Sequence, residues 1–123
     1  MIRVALRQDE RSAQFIIGGH ANYAEKGYDI VCAGISTLTN TLANMVRMWA
    51  DAKLIPIWMV WPDDSPHHIY VETGGDPAIN AALDSIMTEY CQFAGLYPEN
   101  VQVQVLDGGN YESSNKDDQT SKP

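Results

Sequence analysis

Apolar residues along this chain alternate with polar ones, then recur at helical spacing, then alternate again, and these switches mark out seven elements. At the start, Ile2, Val4 and Leu6 alternate with Arg3, Ala5 and Arg7, the period of a half-buried strand. The polar turn "QDERS" leads into "AQFIIG", a second strand in hairpin with the first. After a loop over residues 19–28, Ile35, Leu38, Leu42, Met45, Val46 and Trp49 recur every three or four positions, predicting a long amphipathic helix over 30–52. "IPIWMVW" and "HHIYVET" predict two more strands joined by a polar loop through Pro62. Asp76 and Pro77 have the chemistry of an N-cap and a first helical residue, and Ile79, Leu83, Ile86, Met87 and Tyr90 line one face of a second helix ending near Gly95. "VQVQV" closes the pattern as a strand.

The order ββαββαβ predicts an α+β fold: a two-layer sandwich with one mixed sheet and two helices on one face. The third strand is apolar on both sides, and its pattern is read with Ile57, Met59 and Trp61 toward the core and Trp58 and Val60 on the far face. Apolar patches of that kind are seldom left bare, so a homodimer formed through this strand is expected, the alternative being a loop or the tail folded over the patch.

At 123 residues the chain suits one domain, placed at 1–107. Residues 108–123 are rich in Ser, Asn, Asp and Gly without apolar periodicity and read as a disordered polar tail. The formal charge is −8, with only eight Lys and Arg, which argues against direct nucleic-acid binding and favours a basic partner. No apolar run is long enough for a membrane span, and the first residues lack a secretory h-region, so a cytoplasmic location with reduced thiols is expected.

The chemistry gathers in "GGHANYAEKGYDIVCAGIS", residues 18–36. Gly18 and Gly19 permit a sharp bend at a strand end that delivers His20. Asp29 is placed to cap the helix, which puts Cys32 in its first turn, where unpaired N–H groups and the helix dipole favour a thiolate. A lowered thiol pKa with His20 as cationic partner is therefore expected. Backbone N–H groups at Cys32 and Ala33 are candidate oxyanion donors. Spacing alone leaves two readings open, since a cysteine in a first turn can equally be a small buried hydrophobe. Cys91 falls on the apolar stripe of the second helix and reads as packing. His67 and His68 point to opposite faces of a strand and read as surface or packing residues. No paired metal-ligand spacing is present, so neither a metal nor a cofactor is expected.

The segment "GHANYAEKGYDIVCAGIS" resembles the ribosomal-processing cysteine proteases, the Prp family, whose signature joins a Gly-His-Ala start, a glycine-containing loop and an Asp-aliphatic-Val-Cys-Ala block. The pattern of elements and the length over about residues 1–106 are similar too. The resemblance implies a homodimeric cysteine endopeptidase with Cys32 as nucleophile and His20 as general base. Asp29 then shapes the loop and Ser36 supports the thiol. The loop between His20 and Cys32 would admit substrate, with Ala21, Asn22, Tyr23, Gly27 and Tyr28 as its contact and hinge residues. The implied reaction removes a short N-terminal extension from a basic large-subunit ribosomal protein precursor. Two rival readings use the same residues: a non-catalytic peptide-binding or ribosome-associated module, and a thiol hydrolase acting on small thioesters.

Overall fold

The computed structural model describes residues 1–19, 29–61 and 66–106. The alternation at the start of the chain forms the hairpin of β1 (Ile2–Gln8) and β2 (Ser12–Gly19), which pair antiparallel with Val4 opposite Ile17 and Leu6 opposite Phe15. Asp9 shapes the turn, its carboxylate accepting the N–H groups of Arg11 and Ser12, each at 2.8 Å. Then come α1 (Ile30–Asp51), β3 (Ile57–Trp61), β4 (His67–Glu72), α2 (Pro77–Leu96) and β5 (Val101–Val105). The sheet order is β3-β4-β2-β1-β5, and β5 runs parallel to β1 while the other neighbours are antiparallel. The result is the mixed sheet of the expected α+β fold.

One face of that sheet supplies the floor of the core. Ile2, Val4, Leu6, Ala13, Phe15, Ile17, Ile69, Val71 and Val101 are all buried, and cross-strand partners share a face. Val31, Ile35, Leu42 and Val46 of α1 and Ile79, Leu83, Ile86 and Tyr90 of α2 close over them in a single cluster. Both helices begin at an aspartate: Asp29 accepts from Cys32 N–H, and Asp76 accepts from Ala78 and Ile79 N–H with Pro77 as the first helical residue. Such caps satisfy donors that a helix start otherwise leaves open. Among the described residues no helix is long and apolar enough to cross a membrane.

β3 reverses the expected facing. Its register sets Trp58 opposite Val71 and Val60 opposite Ile69, so these two lie on the helix side, whereas Ile57, Met59 and Trp61 stand on the outer face with Glu72, Tyr70 and His68. A strand apolar on both sides carries no parity of its own. Its facing is inherited from β4, whose buried Ile69 and Val71 admit only one register. Because β3 is also the sheet edge, apolar side chains on both its faces stay exposed: Ile57 at 52%, Trp58 at 42% and Trp61 at 55%. Residue 107 and the proposed tail 108–123 lie outside the described residues.

Candidate active site

Two chain ends meet beside the core, and glycines shape both. β2 stops at Gly19, whose φ of +91° belongs to the left-handed region. A side chain there would also strike the carbonyl oxygen of Met1, so only glycine turns the strand out at this point. Across from it α1 begins at Asp29, whose carboxylate accepts the Cys32 N–H at 2.9 Å. Cys32 is therefore the third helical residue, half-buried in the first turn. One residue later, Ala33 N–H donates to the Asp29 carbonyl at 3.1 Å. The two N–H groups proposed for an oxyanion are thus both donated to Asp29, and the Cys32 N–H is released only if the carboxylate lets go.

The position of Cys32 is fixed from behind by α2. Gly34 brings the two helices close: a Cβ on it would lie 2.5 Å from the Phe93 ring, and Phe93 in turn stacks on Tyr97 with centroids 6.2 Å apart. Deeper in, the Thr39 hydroxyl donates to the Ile35 carbonyl at 2.8 Å. A hydroxyl has one proton to give, so the 2.8 Å contact between Thr39 and Tyr90 has the Tyr90 hydroxyl as donor. Burial pushes that phenol up to about 12, keeping it neutral and donating. α1 is in this way tied to α2 by a backbone approach and by a buried polar bond.

Cys32 opens into a cleft of about 650 Å³ between the start of α1 and the sheet end, lined also by Ile2, Ile17, Gly18, Ser36 and His67. Thr39 and Asn40 carry the helix wall two turns beyond the thiol. Apolar Ile2, Ile17 and Ile35 and the hydrogen-bonding Ser36, Asn40 and His67 thus share one cleft with the thiol. Of the residues singled out from sequence, Asp29, Cys32, Ala33 and Ser36 occupy this helix start. His20 and the loop residues Ala21, Asn22, Tyr23, Gly27 and Tyr28 lie outside the described residues.

The two adjacent histidines of β4 point to opposite faces, as their alternation predicts, and one of those faces is the cleft. His68 lies on the outer face, its Nε2 2.6 Å from the Gln14 amide nitrogen. His67 pairs with Ile17 on the helix side and lines the cleft with Cys32. The parity of Ile69 and Val71 contained that signal; what it lacked was the β2 partner that sets His67 beside the strand end. Cys91 packs against the core cluster from α2 and does not line the cleft.

The family model for cysteine protease Prp matches residues 1–102. The chain is similar to the essential ribosomal processing protease Prp of S. aureus in two solved structures. One, in complex with a covalently linked product peptide, is 25% identical with a TM-score of 0.69, the match covering 86% of this chain and all of that one. The other, in complex with a substrate peptide, is 26% identical with a TM-score of 0.61 and the same coverage. SMU.848 from Streptococcus mutans shares the fold at 22% identity and a TM-score of 0.61, over 87% of this chain and 95% of its own. No curated protein matches the chain.

Proposed function

Because this chain belongs to the cysteine protease Prp family, we propose that Cys32 is the nucleophile and His20 the general base of an endopeptidase acting on a ribosomal protein precursor. The observation that carries the assignment of Cys32 is its place in the first turn of a capped helix, half-buried and opening into a peptide-sized cleft. The N-terminal end of a helix favours negative charge on a group held there, and the nucleophile of a cysteine protease is the thiolate.

The reaction runs in two displacements. The Cys32 thiolate attacks the scissile carbonyl carbon to form a C–S bond, and negative charge moves to the carbonyl oxygen. As that charge returns, the C–N bond breaks and the His20 imidazolium gives its proton to the leaving amine. Water then surrenders a proton to His20 and attacks the thioester; the C–S bond breaks, leaving a carboxylate product and the thiolate. Cys32 N–H stabilises the oxyanion in this reading, with the Asp29 carboxylate releasing it as charge develops, while Ala33 N–H stays bonded to the Asp29 carbonyl in the first turn of α1. Ser36, one turn along α1, lies beside the path of the substrate.

The substrate proposed is the short N-terminal extension of a basic large-subunit ribosomal protein in the cytoplasm, and the S. aureus relatives, ribosomal processing proteases with bound peptides, support it. A net charge of −8 favours encounter with a basic protein and disfavours direct contact with nucleic acid. A homodimer through β3 is part of the same proposal, because the exposed edge carries Ile57, Trp58 and Trp61 and bare apolar edges invite pairing. The test is incubation of the precursor with wild type, Cys32→Ala and His20→Ala, followed by mass spectrometry. Removal of the extension by wild type alone is expected; cleavage that persists in Cys32→Ala overturns the assignment.

A further inference from the structure

Both walls of the proposed active site are tied to one place, the corner where α2 ends and β5 begins. Tyr97 caps the C-terminal end of α2, its N–H donating to the Phe93 carbonyl at 2.8 Å. Its own carbonyl accepts two N–H groups, those of Asn100 and Val101, each at 2.9 Å. That closes a tight turn over "YPEN", with Pro98 at the second position, where its fixed φ suits the turn.

From this corner one path runs to each wall. On the helix side the Tyr97 ring stacks on Phe93, with centroids 6.2 Å and planes 29° apart, and the Phe93 ring fills the space in front of Gly34, two residues past Cys32 in α1. On the strand side the turn delivers the Asn100 carbonyl to the Ile2 N–H at 2.8 Å. Ile2 lines the cleft and is the register partner of Gly19, the residue before His20. Val101 adds a second hold, since it is buried and pairs with Ile2 as well. Close-packed rings and backbone bonds of this kind transmit a displacement rather than absorb it.

We propose that Tyr97 is a positioning residue for peptide cleavage: its ring sets where α1 presents the thiol and its carbonyl sets where β2 ends, so one residue fixes the spacing of the two walls. The inference rests on the proposed roles of Cys32 and His20. Tyr97 is not among the described residues that line the cleft, so it acts through Phe93 and the turn rather than on the substrate. A misplacement of about 1 Å between reacting groups can cost about a hundredfold in rate, and the loss then falls on kcat.

The experiment measures kcat and KM for peptide cleavage by the full chain, at matched folded fraction, in Tyr97→Ala, Tyr97→Phe and Pro98→Gly. Ile79→Val, buried near the opposite end of α2, is the control for lost stability. Tyr97→Ala is expected to lose about ten- to a hundredfold in kcat with KM little changed. The pH profile of kcat/KM narrows with it, because a thiolate and an imidazolium held further apart stabilise each other less. Tyr97→Phe keeps the ring and retains the wild-type rate and profile. Pro98→Gly, at an exposed position, loosens the turn and lowers kcat in the same direction, and it decides the matter if Tyr97→Ala fails to fold. Ile79→Val leaves kcat per folded molecule unchanged. A loss in KM alone, or Tyr97→Ala and Pro98→Gly that behave like Ile79→Val, overturns the positioning role. So does a Tyr97→Phe as impaired as Tyr97→Ala. Cleavage that persists in His20→Ala overturns the general-base assignment instead, while kcat in the Tyr97 variants still decides whether the corner positions the thiol.

Discussion

The Asp29 carboxylate accepts the backbone N–H of Cys32 at 2.9 Å, so a single bond both starts α1 and pins the residue proposed as nucleophile. Asp29→Ala removes it and is expected to cost about 1 kcal/mol of stability, whereas Asp29→Asn keeps an acceptor and costs a few tenths. Urea unfolding measures both. Equal losses in the two variants would show that charge, not the cap, is what Asp29 supplies.

Glycine-to-alanine exchange should have opposite signs on the two helices. Gly95 faces open space on α2, so Gly95→Ala gains about 0.5–1 kcal/mol from helix propensity. Gly34→Ala gains the same term but drives a methyl into the Phe93 ring, and overpacking of about 1–3 kcal/mol outweighs it. Phe93→Leu in the Gly34→Ala background should recover part of the loss, and a double-mutant cycle on unfolding midpoints reads the coupling. Additive effects would mean that the helices are not held apart at this contact.

Tyr90 gives the fold an alkaline limit. Its folded-state pKa of about 12 lies above the ordinary 10.0, so the folded state holds the proton more tightly than the unfolded one. That contribution is complete below pH 10 and is lost as pH rises toward 12, by about 2 kcal/mol. Tyr90→Phe should cost about 1 kcal/mol at neutral pH by leaving Thr39 without its donor, and should flatten the decline between pH 10 and 12. Parallel alkaline unfolding curves for the two proteins would refute this.

At Gly19 a positive φ and the nearby Met1 carbonyl act together. Gly19→Ala is expected to lose about 1–3 kcal/mol and, because the strand end is displaced, to lose more peptide cleavage than Gly95→Ala does. Cleavage assays at matched folded fraction make the comparison.

The exposed edge of β3 predicts a dimer that one charge disrupts. Trp61→Glu places a carboxylate at a 55% exposed edge position, away from the core, so monomer stability should hold while light scattering shows the dimer dissociating. A wild-type monomer at micromolar concentration refutes the β3 interface.

The sequence by itself determined the elements, the two caps and the residues at the start of α1. These depend on local terms: the period-2 runs of β1 and β5, the helical stripe through Ile35, Leu42 and Val46, and an aspartate three residues before Cys32. Tertiary structure alone decided the facing of β3, the place of His67 and the role of Gly34. The physical reason is common to all three. "IWMVW" is apolar on both sides, so only pairing with Ile69 and Val71 sends Trp58 and Val60 to the helix side. His67 enters the cleft because β2 sets Ile17 beside it, and Gly34 matters because Phe93, far along the chain, fills the space a side chain would need. Each is a contact between residues distant in sequence, and periodicity along one segment carries no record of its partner.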